Sequence, residues 1–364
     1  MIRAARLGRR ARQRPAVLLG AAALVLSASV APAQAPFAFL APIQVGSAPS
    51  EGASGVDARR GPSRCVRPRA DDGGSEVNQT GPPGPRLRRD RLLLLTAAAL
   101  ATSLAGGAIG VDRDVVPAQG LDRSDVTLAI DRRAVRARDE RFDRASNWMV
   151  GIAVAFPLVA GALGLEAEAR AVPTDARRAA GEDLAPGGDV FIPGMLRRLA
   201  LYAQASFLND GLTLLLKNTV SRPRPGLYMP WAEAAGTPEG WSFESFPSGH
   251  ASRAGCAAAF GVFDHLMTRS YADWREHFAT GLAAGALAGA TAALRVEAGE
   301  HFPTDVAGGL ALGVACGVGV PLLHGYAHAD GAPVRPRRSA WLASWGGMAA
   351  GVALAAAASS LLGP

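Results

Sequence analysis

Three short polar clusters hold most of the side chains able to do chemistry, and each sits at the edge of an apolar run. The first runs from Lys217 through Asn218-Thr219-Val220-Ser221-Arg222-Pro223 to Arg224-Pro225. It sets an ammonium and a guanidinium seven residues apart, just where two prolines stop a helix. The second, Phe246-Pro247-Ser248-Gly249-His250, joins a hydroxyl, an unhindered backbone and an imidazole at a helix start. Free N–H groups and the helix dipole make such a start an anion site, and Gly249 lets an oxyanion approach closely. The third places Arg295 at a helix end, followed by His301-Phe302-Pro303-Thr304-Asp305. Its His and Asp are four apart and come within reach if the chain turns into a helix between them. Together these cations, N–H donors and imidazoles suit a tetrahedral oxyanion and nucleophilic or acid–base work upon it. Asp305 is the only carboxylate among the motif residues themselves, and the chain shows no metal-ligand spacing of Cys and His, so neither metal nor cofactor is expected.

Composition singles out one of these residues. The chain has 364 residues and 38 basic side chains, of which only Lys217 is a lysine. The Ala, Gly and Arg bias suggests a high-GC bacterial genome in which Lys drifts to Arg wherever charge alone suffices. A compact ammonium gripping one small anion is not replaceable by a planar fork. Taken alone, Lys217 or Arg224 would be an ordinary interfacial anchor, and either histidine a hydrogen-bonded helix cap. The three clusters in order are harder to assign to chance.

The elements that must position them are apolar helices. Only 19% of the residues are charged against 49% hydrophobic, which disfavours a simple soluble domain. Runs of near-spanning length cover Leu92–Gly110, Asn147–Leu165, Leu199–Leu216, Ala251–Met267, Phe278–Leu294 and Val306–His324, with another at Ala340–Gly363. A bilayer core needs about 20 apolar residues per helix, and helices satisfy every backbone group internally. The expected fold is therefore an all-α polytopic membrane helical bundle, with six core transmembrane helices plus an extra C-terminal helix. If each core run crosses once, the ends of the third and fifth and the starts of the fourth and sixth share one side. All three clusters then meet. Gly281, Gly285 and Gly289 repeat on one face and should let another helix approach closely.

Outside the bundle the reading is coarser. Residues 1–35 have the Arg-rich start, the apolar Ala16–Ala31 stretch and the Ala33-Gln34-Ala35 site of a secretory signal. Residues 36–91, rich in Gly, Pro and Arg without periodicity, are expected to be a disordered linker. Residues 92–324 form the membrane domain, and 325–364 a loop and the extra helix. Cys65, Cys256 and Cys316 provide no disulfide framework. Despite the net charge of +7, no aromatic-interleaved basic stripe points to nucleic acid.

At these residues the sequence resembles the type 2 phosphatidic acid phosphatase superfamily. Its first motif corresponds to Lys217–Pro225, its second to Pro247–His250, and its third to Arg295, His301 and Asp305, with Leu294 where the family often has Ser. Arg253 also departs, at a position where small residues are usual. The resemblance covers about residues 92–324. It implies a metal-independent lipid phosphate phosphatase in which His301 attacks phosphorus to form a phosphohistidine. Asp305 would orient the His301 ring, and His250 would protonate the leaving oxygen and then activate water. Lys217, Arg224, Ser248, Gly249 and Arg295 would cradle the phosphoryl oxygens. Undecaprenyl pyrophosphate, phosphatidic acid, phosphatidylglycerol phosphate and lipid A phosphates all fit as substrates.

Three other readings share the motifs. A lipid phosphotransferase differs only in its acceptor. Soluble acid phosphatases and vanadate haloperoxidases use the same cradle, and the apolar runs argue against both. A non-enzymatic phospholipid-binding membrane protein would require a dead site. The expected location is the bacterial cytoplasmic membrane. Arg86, Arg88, Arg89 and Arg91 before the first run favour a cytoplasmic N-flank and an external active site. A cleaved signal would reverse that orientation, and the external face is the working expectation. Sequence leaves the oligomeric state open.

Overall fold

The computed structural model describes residues 84–110, 121–171, 188–229, 240–328 and 331–362. The signal-like segment 1–35, most of the 36–91 linker and Cys65 lie outside them. The described residues form an all-α polytopic membrane bundle. Its helices are α1 (Arg89–Ile109), a short α2 (Ala129–Arg132), α3 (Glu140–Ala171), α4 (Gly188–Val220), α5 (Gly249–Thr268), α6 (Trp274–Glu297), α7 (Pro303–His324) and α8 (Arg338–Leu362). Five of them, α1, α3, α6, α7 and α8, contain stretches long and apolar enough to cross a bilayer. The other two long helices, α4 and α5, are more polar. Gln204, Asn209 and Asp210 interrupt one, Ser252, Arg253 and Asp264 the other. These are the helices that border the polar clusters.

The linker expectation ends too late. Gly84–Pro85 (β1) pairs antiparallel with Tyr326–Ala327 (β2), and α1 begins at Arg89. The chain before the first run is thus stitched to the chain after α7, at the end of the bundle away from the clusters.

Local chemistry sets the helix ends. Ser221 adopts φ 47° just after α4, and Pro223 and Pro225 prevent the helix from resuming. Asp273 caps α6 by accepting from the N–H groups of Arg275 at 2.8 Å and Glu276 at 2.9 Å. Gly299, at φ 67°, turns the chain out of α6 towards His301. Pro303 opens α7, and Asp305 accepts from the Phe302 N–H at 2.9 Å.

Small residues decide the packing. α5 is the central element, and between Ala251 and Asp264 every residue except Arg253 is buried. It lies parallel to α7 along a seam of Gly309, Gly313 and Gly317. A Cβ on Gly313 would come within 2.1 Å of the Ser252 carbonyl oxygen, and one on Gly317 within 2.4 Å of that of Cys256. The expected stripe Gly281, Gly285 and Gly289 meets α8: Cβ atoms there would fall 2.1 Å from the Ser344 oxygen, 2.0 Å from the Met348 oxygen and 2.8 Å from the Val352 Cα. Gly347 and Gly351 return the same approach against Phe278 and Leu282. Helix backbones in lipid gain dispersion energy by such proximity, because lipid tails are as apolar as the side chains they replace.

On the far side of the bundle Arg198 and Asp264 form a buried ion pair at 2.8 Å, and the Tyr326 hydroxyl donates to Asp264 at 2.9 Å. This fastens α4, α5 and β2 together. Cys256 and Cys316 are free and buried in the core.

The seam makes a local prediction. Gly313→Val should force α5 and α7 apart and lower thermal stability by about 3 kcal/mol or more, since backbone rather than a mobile side chain is in the way. Gly319→Ala, where a Cβ meets nothing within 4 Å, should be neutral or stabilise by up to about 1 kcal/mol. Thermal unfolding in detergent compares the two.

Candidate active site

The seam and the helix ends bring the three clusters together. One cavity of about 290 Å³ is lined by Lys217, Arg224, Gly249, His250, Arg295 and His301 from the motifs, and by Asp210, Thr213, Leu214, Glu244 and Arg253 beside them. α4 contributes Lys217 from its last turn. α5 contributes Gly249 and His250 from its first, where N–H groups project beyond the helix. α6 contributes Arg295, and the turn into α7 contributes His301. A backbone hydrogen bond from the Ser248 N–H to the Asp305 carbonyl, 3.0 Å, ties the start of α5 to the start of α7.

Two residues sit differently from expectation. Asp305 stands one step behind His301: its Oδ2 is 3.8 Å from His301 Nδ1, while the Ser245 carbonyl lies 2.7 Å from that nitrogen. A carbonyl can only accept, so Nδ1 carries the hydrogen and Nε2 keeps its lone pair. Ser245, absent from the sequence expectation, therefore sets the tautomer. Ser248 is also displaced. It is fully buried, its hydroxyl has no hydrogen-bond partner, and it does not line the cavity. Its neighbour Gly249 does.

Asp305 is held by a network that the motifs do not reveal. Arg222 donates to it, as do the Ser245 hydroxyl and the Phe302 N–H. The other arm of Arg222 reaches Asp131 of α2 at 2.8 Å. Asp131 is fully buried and also accepts from the Thr304 hydroxyl at 2.6 Å and the Thr304 N–H at 3.1 Å. A buried carboxylate is tolerated only with such partners. The loop between α1 and α3 is thereby locked onto the start of α7, although 173 residues separate Asp131 from Thr304.

The cations are paired as well. Lys217 Nζ lies 3.6 Å from Glu244. Arg224 pairs with Glu300, which also meets Arg138 at 2.7 Å and Arg295 at 3.3 Å. Arg295 further pairs with Asp143 of α3 and donates to the Ser146 hydroxyl at 3.1 Å. Each carboxylate stabilises guanidinium or ammonium charge that would otherwise stand crowded and half-desolvated. Sequence reasoning missed Glu244, Glu300 and Asp143. Glu300 adjoins His301 and could have been flagged by position, whereas Asp143 carries no local signal. Asn147 of α3 was missed too; its Oδ1 lies 2.6 Å from His250 Nε2. Among the described residues no group of three or more His, Cys, Asp or Glu side chains is placed to hold a metal ion.

Burial dominates the acidity of His301. It pushes the imidazole down to about 3; the Asp305 carboxylate opposes this, and the nearby charges of Arg224 and Arg295 add to it. At neutral pH the ring is uncharged, with a free Nε2 lone pair in a cavity surrounded by cations. The arrangement can hold a tetrahedral oxyanion and present a neutral nitrogen nucleophile to its centre.

Comparison with known proteins agrees with this geometry. Residues 198–329 match the family model of the PAP2 superfamily, and the resemblance carried by the three motifs holds. A lipid A 1-phosphatase of Rhizobium etli is 38% identical over 104 residues, which are 28% of this chain and 40% of that protein. The chain thus aligns with well under half the length of this relative. No solved structure matches.

The Asp131 network can be checked directly. Asp131→Ala leaves Arg222 half-paired and Thr304 without its acceptor, and should destabilise the protein by about 3 kcal/mol. Activity should fall with it, though Asp131 lies outside the cavity. A double substitution with Arg222→Met should cost less than the sum of the single changes, measured by thermal unfolding.

Proposed function

We propose that the chain is a metal-independent phosphatase of membrane lipid phosphates, acting through a phosphohistidine on His301. The carrying observation is the convergence of Lys217, Arg224, Arg295, Gly249, His250 and His301 on one cavity at a common end of an apolar helical bundle. Residues 198–329 match the PAP2 superfamily, and the relative named lipid A 1-phosphatase agrees in class.

Phosphoryl transfer asks little of a protein beyond positioning and charge stabilisation. The three cations and the N–H groups at the start of α5 would hold the phosphoryl oxygens, displacing Glu244 and Glu300 from part of their pairing. His301 Nε2 attacks phosphorus; the P–N bond forms, the P–O bond to the lipid breaks, and His250 gives its proton to the departing oxygen. Water then attacks the phosphohistidine, His250 takes a proton from it, and the P–N bond breaks to release phosphate. The Ser245 carbonyl holds Nδ1–H throughout, and Asp305 with its Arg222 partner offsets the positive charge that develops on the ring. Ser248, with its unpartnered hydroxyl beside Gly249, would need to rotate to take part in the cradle. The site is assigned to the external face of the cytoplasmic membrane, supported by the four arginines just before and within the first turn of α1.

Purified protein offered a panel of lipid phosphates and pyrophosphates should release free phosphate. His301→Ala should reduce this by about a thousandfold or more. No release from any lipid by folded protein would refute the reading, and transfer of labelled phosphate to an added alcohol or lipid acceptor would identify a phosphotransferase instead. Lys217→Arg should lower kcat/KM by about a hundredfold, because the fork cannot occupy the ammonium's place.

The pH dependence has a definite sign. His301 is neutral above about 3, so phosphoenzyme trapped by alkaline denaturation, which spares the acid-labile P–N bond, should still accumulate in reactions run at pH 5, where a free imidazole is mostly protonated. Stability moves the other way. The unfolded imidazole binds a proton below about 6.5 and the buried one does not, so this group alone removes up to about 1.4 kcal/mol per pH unit as pH falls from there towards 3.

A further inference from the structure

One ion pair on the cavity wall has no part in the phosphoryl chemistry. Arg253 Nε of α5 lies 2.9 Å from Asp210 Oδ1 of α4, and the two side chains are 52% and 41% exposed. Both line the cavity that holds His250 and Lys217. Asp210 lies seven residues before Lys217, two turns and about 10 Å further into the bundle. Arg253 lies one turn into α5 and is the single unburied residue between Ala251 and Asp264. On this face of α4 Phe207, three residues before Asp210, is 66% exposed, while Thr213, Leu214 and Lys217 line the cavity beyond it.

A charged pair at this depth is costly against hydrocarbon, and charges inside spanning helices face polar cavities or pathways. The cavity runs from the phosphate cradle to this pair, which stands on its wall between α4 and α5. A lipid held by its phosphate at the cradle, with its chains leaving between these two helices, would lay its neck across the Asp210 and Arg253 side chains. An isoprenoid chain attached directly at the phosphate would press hydrocarbon onto both and strip the half-exposed pair of its water. Ester, hydroxyl or amide oxygens in a neck would accept from Arg253, and a hydroxyl or amide N–H would in addition donate to Asp210.

We propose that the Asp210–Arg253 pair forms the side mouth of the cavity and selects lipids whose phosphate joins the acyl chains through a hydrogen-bonding neck, such as a glycerol ester or an acylated sugar. This rests on the phosphatase reading. It narrows the substrate class away from polyprenyl phosphates.

The test compares phosphatidic acid with a polyprenyl monophosphate at equal surface concentration in the same detergent micelles. Native protein should show kcat/KM at least about tenfold higher for phosphatidic acid. Asp210→Leu with Arg253→Met, which removes both charges together, should cut that preference about tenfold or invert it, through KM rather than kcat. Asp210→Asn, which keeps the side-chain shape, and Arg253→Gln, which keeps a polar but shorter and uncharged one, should each move the ratio the same way should the double variant fold poorly. Equal or better use of the polyprenyl phosphate by the native protein overturns the proposal, as does an unchanged ratio in the folded variants. Release of phosphate from neither of these lipids, nor from an acylated-sugar phosphate or any other member of the lipid phosphate panel, instead refutes the phosphatase reading on which it stands.

Discussion

The approach of α5 to α7 across Gly309, Gly313 and Gly317 is the constraint on which the site rests. Two helix backbones come close enough that a single methyl group would overlap a carbonyl oxygen. This brings the first turns of both helices side by side, where the Ser248 N–H meets the Asp305 carbonyl. His250 and His301 face one cavity only because of that contact. The glycines are unfavourable helix formers, and their retention along one face is explained by what they let approach. The same device on α6 and α8 adds the last helix without contributing to the cavity.

Electrostatics then shapes what the seam assembles. Three cations converge on one small volume, which would repel strongly if left alone in a poorly solvated site. Glu244, Glu300 and Asp143 balance them, and the Arg222–Asp131 pairing balances Asp305 in turn. An entering oxyanion exchanges one set of negative partners for another instead of filling a vacant field. His301 stands apart from this exchange. It is buried, neutral and fixed by a backbone carbonyl, a single-tautomer imidazole beside charges suited to an anion.

Much of this was legible in the sequence because helix periodicity and crossing parity are local or nearly local rules. The apolar runs located every long helix, although α3 begins seven residues and α4 eleven residues before its run, and parity alone brought Lys217, His250 and His301 to one side. The unusual retention of one lysine, and the spacing of Arg295, His301 and Asp305, marked the chemistry. Arg253 was also visible as an oddity among small residues. What periodicity could not reveal was the pairing of side chains remote in sequence. Asp131, Asp143 and Asn147 sit in or beside a loop without a motif, and nothing near them in the chain says that they meet Arg222, Arg295 and His250.

The sequence by itself thus determined an all-α membrane bundle and the end of the bundle where the motif side chains gather. Only the tertiary structure decided their partners. It placed the Ser245 carbonyl rather than Asp305 on His301 Nδ1, withdrew the Ser248 hydroxyl from the cavity, and set Asp210 opposite Arg253. The reason is physical. Which residues enter a helix depends on neighbours within a few positions, whereas a hydrogen bond depends on shifts of about 1 Å that the packing of separate helices sets.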